Sequence, residues 1–125
     1  MKTINSPHAP SALGPYSHAV EANGFLFVSG QLPINPGSNQ IPEDIGAQTR
    51  QVMENLLAII EQAGGSAASI VKTTIFLTNM DDFAQVNEVY GTFFKDSFPA
   101  RATVGVNSLA RGAKVEIDAI AALPA

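Results

Sequence analysis

FPARATVGVNSLARGAKVEIDAI, residues 98–120, decides how the chain must fold. It holds two runs of alternating residues separated by a turn-rich middle. Pro99 steers the backbone into an extended path, and alternation over 101–106 then puts Arg101, Thr103 and Gly105 on one face. The run 114–122 alternates too, with Lys114, Glu116 and Asp118 on one side, continued by Ile120, and Val115, Ile117 and Ala119 on the other. These are two strands, each carrying one charged residue of chemical interest. A guanidinium is a planar fork of donors matched to a carboxylate, so Arg101 on a rigid strand suits the binding of a small acid. Glu116 is then the group able to handle a water or a proton. The same two residues would also suit a cross-strand ion pair worth ~0.2–1 kcal/mol, and spacing alone does not choose.

Upstream, residues 17–21 and 25–31 read as strands joined by Ala22-Asn23-Gly24, where Asn-Gly supplies the positive φ angles of a tight hairpin. Residues 32–42, with Pro33, Pro36 and Pro42, form a loop. Over 43–63 the positions Ile45, Val52, Leu56, Ile59, Ile60 and Ala63 recur at helical spacing, and Gly64-Gly65 supplies a left-handed stop. Residues 70–78, IVKTTIFLT, are β-branched and read as a strand. A second helix is expected from 81 or 82 to 96, with Phe83, Val86, Tyr90, Phe93 and Phe94 on its inner stripe. The order is β-β-α-β-α-β-β, with a possible further strand over 2–5. This pattern predicts an α+β fold with one mixed sheet and both helices on one face. The other sheet face is left open, and packing against copies of the same chain is the simplest cover, so a homo-oligomer is expected.

Bulk properties narrow the function. At 125 residues the chain is expected to form one domain over 1–125. Hydrophobic residues make up 46% and charged ones only 14%, which again favours a covered apolar surface. Seven basic residues against eleven acidic ones give a net charge of −4, and the basic residues form no run, so nucleic-acid binding is disfavoured. With no cysteine, disulfides, thiolate metal sites and cysteine nucleophiles are excluded. His8 and His18 have no ligand partner at metal spacing, so no metal is expected. The N-terminus lacks the apolar core of a signal peptide and no membrane-length apolar run follows, which makes a cytoplasmic location the default.

Four further positions put polar or open groups where apolar ones are expected. Asn87 falls on or beside the apolar stripe of the second helix and needs partners if buried. Ser29 shares its strand face with Phe25, Phe27 and Gln31, and Gly30 beside it permits close approach to the backbone. Tyr16 follows the rigid turn Gly14-Pro15. For each, a pocket-facing role stands beside a structural one: a bonded amide, a satisfied hydroxyl, an aromatic core plug.

GPYSHAV (14–20), FVSGQLP (27–33), VNEVYGTFF (86–94), FPARATV (98–104) and KVEIDAIA (114–121) together resemble the Rid (YjgF/YER-type) family of reactive-intermediate deaminases, and within it the RidA subgroup. The likeness runs from about residue 4 to 123. It implies a chorismate-mutase-like fold, a trimeric barrel-like assembly with clefts between subunits, and hydrolysis of small 2-imino acids to 2-keto acids and ammonia without a cofactor. By resemblance, Arg101 binds the substrate carboxylate, Glu116 positions the attacking water with help from the Tyr16 hydroxyl, and Tyr16, Ser29, Gly30 and Asn87 line the cleft. Thr103 departs from the pattern, since many RidA members carry cysteine there. Because hydrolysis of an electrophilic C=N bond needs no nucleophilic side chain, Thr103 is expected to serve as a polar wall. A keto-acid sensor using the same cleft, and a ribonuclease, are the competing readings.

Overall fold

The computed structural model describes all residues, Met1–Ala125. Six strands, β1 (Lys2–Ile4), β2 (Ala19–Ala22), β3 (Phe25–Gln31), β4 (Ile70–Leu77), β5 (Ala100–Gly105) and β6 (Val115–Ala122), form one sheet in the order β1-β2-β3-β6-β4-β5. All neighbours are antiparallel except β4 and β5. The mixed α+β sheet is the one expected, and the short strand at the N-terminus is present. The turn between β2 and β3 has Asn23 at φ 53° and Gly24 at φ 81°, so both central residues take the left-handed conformation that the Asn-Gly pair accommodates.

Helix α1 (Ile45–Gln62) starts where the Asp44 carboxylate accepts the Ala47 amide at 2.9 Å, and it stops at Gly64, φ 91°. Its inner stripe, Val52, Met53, Leu56, Ile59 and Ile60, is buried with Leu26, Val28, Ile75, Leu77, Ile117 and Ala119 of the sheet in one core. Helix α2 (Phe83–Gly91) contributes Val86 and Tyr90 to the same core, so both helices cover one sheet face. No helix is long and apolar enough to cross a membrane.

Three local expectations are corrected. The second helix is shorter than 81–96: a 3-10 turn (Met80–Asp82) precedes it, and it ends at Gly91, where the Thr92 hydroxyl donates to the Val89 carbonyl at 2.6 Å. Phe93 and Phe94 still pack on the core, so the apolar stripe outlasts the helix. In β3, two residues, Ser29 and Gly30, lie between Val28 and Gln31 where β6 has one, Asp118, with Val28 facing Ala119 and Gln31 facing Ile117. This bulge at Ser29-Gly30 turns Gln31 into the core, away from the exposed face of Phe25 and Phe27 with which alternation had grouped it. Finally, β4 lies between β5 and β6, so Arg101 and Glu116 are not cross-strand neighbours and cannot form the ion pair.

Candidate functional site

Register assigns every candidate residue to a face. Arg101, Thr103 and Gly105 sit beside Thr73, Ile75 and Leu77 of β4, which face the helices. Glu116 and Asp118 sit beside Phe76 and Thr74, which face the other way. The candidate residues therefore fall into two groups on opposite faces of the sheet.

The first group is built on β5 and α2. The Arg101 guanidinium lies over two aromatic rings, its Cζ 5.2 Å from the Tyr90 centroid and 5.6 Å from that of Phe83. Such a seat attracts the cation while leaving its N–H fork directed elsewhere. Tyr90 is held in turn by Thr73, the two hydroxyl oxygens 2.6 Å apart. Burial pushes the Tyr90 phenol above its ordinary range, against the smaller opposing effects of the Thr73 bond and the Arg101 charge. A neutral phenol leaves the guanidinium charge uncancelled. Asn87, half-buried, lies on α2 between Phe83 and Tyr90. The Thr103 hydroxyl is buried without a hydrogen-bond partner, the only buried side-chain polar atom in the fold left so. Sequence reasoning did not find Phe83 and Tyr90 as partners of Arg101, because both fall on the inner stripe of the second helix and spacing does not show what lies against it.

The second group is built on the β3 bulge and β6. The Glu116 carboxylate lies on the backbone of Gly30, where a Cβ would collide with its Oε2 and come within 3.0 Å of its Cδ. Only glycine leaves the carboxylate that room. Burial raises the Glu116 carboxyl above the usual range, and the like charge of Asp118 raises it further. Tyr16 is 44% exposed, so it is no core plug, and it lines one small cavity with Gly30, Leu13 and Leu32. Its phenol oxygen accepts the Leu13 amide at 3.1 Å. The Ser29 hydroxyl donates to the Ser17 carbonyl at 2.7 Å, so its proton is already committed to the scaffold.

Gly30→Ala offers a clean test of the second group, because no positive φ is required at Gly30 and the new methyl would meet the end of a flexible side chain. Displacing the Glu116 carboxylate by about 1 Å is expected to cost ~10²-fold in any reaction in which that carboxylate takes part. The melting temperature should shift little, and circular dichroism with kinetics on the same preparation checks both.

A mixed sheet with two helices on one face, an arginine seated on aromatic rings and a glutamate laid on a glycine bulge define the chain as an α+β protein of the YjgF type. The chain belongs to the Rid family: the family described as Endoribonuclease L-PSP matches residues 6–123. It is 49% identical over 124 residues to a RutC family protein of Pasteurella multocida, with 96% of each chain covered. It is 45% identical over 123 residues to the 2-iminobutanoate/2-iminopropanoate deaminase of Escherichia coli K12, again over 96% of each. Among solved structures, E. coli TdcF with bound serine superposes with a TM-score of 0.96 at 41% identity, covering 99% of this chain and all of that one.

Proposed function

We propose that the protein is a hydrolytic deaminase of small 2-imino acids, such as 2-iminopropanoate and 2-iminobutanoate, acting as a homotrimer. The carrying observation is Arg101, exposed and seated on two rings, neither of which neutralises its charge. Its fork is free for a 2-imino acid carboxylate. A relative solved with serine, which carries the same kind of carboxylate, and a relative named as this deaminase support the reading. The net charge of −4 favours it over cleavage of RNA.

One chain holds the two groups on opposite sheet faces, so a complete site needs a second copy. A homotrimer that closes the open faces into a barrel would bring Glu116, Gly30 and Tyr16 of one subunit against Arg101, Asn87 and Thr103 of the next. It would also cover Phe25 and Phe27, which are exposed on the open face. In that cleft Arg101 clamps the carboxylate and fixes the imine carbon. Glu116 takes a proton from water as its oxygen attacks that carbon, giving a carbinolamine. The first proton goes to the imine nitrogen; Glu116 then carries the carbinolamine hydroxyl proton to the same nitrogen as the C=O bond forms and the C–N bond breaks, releasing a 2-keto acid and ammonia. A carboxyl raised above the ordinary glutamate range suits a group that both accepts and returns a proton. Thr103 acts as a polar wall and no cofactor enters the reaction.

The test is semicarbazone trapping of imines released in situ by threonine dehydratase or an amino-acid oxidase. Wild-type protein should suppress the trapped product; if it suppresses none across several imines while trimeric, the deaminase reading fails. The shared site has its own check. Arg101→Ala and Glu116→Gln trimers should each keep about a hundredth of the activity or less, yet subunit exchange between them should restore activity in about a quarter of the clefts by random assortment. No recovery after proven exchange would mean that both residues act from one chain.

A further inference from the structure

We propose that His18 is a positioning residue: its imidazole latches the irregular segment 5–17 and thereby holds Tyr16 beside Gly30. The segment between β1 and β2 contains neither helix nor strand, yet it delivers Tyr16 to the rim of the Gly30 cavity. Something outside regular backbone pairing must fix it.

The ring of His18 does this from a buried position, 5% exposed. Its Nδ1 lies 3.0 Å from the Ser6 amide, and its Nε2 lies 2.7 Å from the Pro10 carbonyl. A backbone N–H can only donate and a carbonyl can only accept, so Nδ1 is bare and Nε2 carries the hydrogen. One neutral ring thus bridges the start and the middle of the segment. The main chain of the same residue extends the tie, its amide donating to the Asn5 side-chain oxygen at 3.0 Å and its carbonyl accepting the Ser29 amide at 2.9 Å. The latch is therefore bonded directly to the bulge that places Gly30. The remaining bonds of the segment are His8 amide to Ser6 hydroxyl, Ala9 amide to Ser6 carbonyl, Leu13 amide to the Tyr16 phenol and Tyr16 amide to the Gly14 carbonyl, all local, and the Ser29 hydroxyl to the Ser17 carbonyl, which ties only the last residue of the segment to the bulge. None of these ties residues 7–16 to the sheet, whereas the Pro10 bond does. Asn5, Ser6, Pro7, Ala9, Ser11 and Ala12, which share a cavity with the ring, carry no charge that would serve in its place.

The latch stands on geometry; only its effect on turnover rests on the function proposed above. The experiment compares His18→Leu, which makes neither bond, with His18→Gln, whose amide both accepts and donates. Amide exchange at Ser6 and the ring signal of Tyr16, assigned with Tyr16→Phe, are read by NMR. In His18→Leu the Ser6 amide should exchange about tenfold faster and the Tyr16 ring signal should move toward its free position, while amides of β3 and β6 keep wild-type protection. Imine hydrolysis by that variant should lose about tenfold in kcat with little change in KM, since Arg101 is untouched. His18→Gln should restore all three readouts. An unchanged Tyr16 signal in His18→Leu, or a His18→Gln that behaves like it, overturns the proposal. Should His18→Leu fail to fold, His18→Asn, too short to reach Pro10, takes its place with the same expected outcome. If wild-type protein hydrolyses no imine, the deaminase reading falls, and the Tyr16 signal still decides the latch.

Discussion

Arg101→Ala should lower kcat/KM for 2-imino acid hydrolysis by ~10²–10⁴-fold. The magnitude follows from losing two charge-assisted hydrogen bonds to the carboxylate at ~1.5–3 kcal/mol each. Because Arg101 is exposed on an edge strand, the fold should survive, and circular dichroism and size-exclusion chromatography should match wild type. Arg101→Lys separates charge from geometry. A lysine keeps the charge but lacks the planar fork seated over Tyr90 and Phe83, so it should recover only part of the loss. Full activity in Arg101→Lys would show that the carboxylate is held by charge alone, and full activity in Arg101→Ala would remove Arg101 from the site.

Glu116→Gln should reduce turnover by ~10²–10⁴-fold, the range associated with a positioned general base. Its effect on stability should have the opposite sign. Burial first, and Asp118 second, raise the folded-state carboxyl above its unfolded value. The folded protein therefore binds the proton more tightly than the unfolded chain does. Stability from this group is fully present below the unfolded value and is lost as pH rises through the folded one. Glutamine cannot ionise and escapes that loss. Melting curves should show the variant and wild type alike near pH 4 and the variant more heat-stable at pH 8. For the wild type, kcat should fall on acidification with a midpoint above that of an ordinary glutamate, and this limb should vanish in the residual activity of the variant. A variant less stable at pH 8 would mean that the carboxylate helps hold the fold together.

Much of this architecture was legible in the chain because it depends on short-range patterns. Asn23-Gly24 specifies a turn through backbone sterics, Gly64 stops α1 by its left-handed φ, and period-2 alternation in 114–122 separates the buried face of β6 from the polar one. The second helix was overextended because Phe93 and Phe94 continue an apolar spacing that helix and 3-10 turn share over so short a distance. Three polar residues of α1, Gln48, Thr49 and Asn55, are buried as well. Asn55 donates to the carbonyls of Leu32 and Ile34, and Gln48 donates to that of Pro42, so they anchor the loop before the helix. Nothing in their spacing marks them, since their partners lie in another segment.

By itself the sequence determined the elements, the single mixed sheet, and the facing of Arg101 with Thr103 and of Glu116 with Asp118, because alternation along one strand is a local property of the backbone. What it left open was whether Arg101 and Glu116 meet. Strand order answers that question, and strand order depends on contacts between segments far apart in the chain. By inserting β4 between β5 and β6, the tertiary structure parts the two residues and turns them to opposite faces. It also decides that Arg101 rests on Tyr90 and Phe83, and that a bulge lets Glu116 lie on Gly30. Each of these is a packing relation between distant residues, which no periodicity encodes.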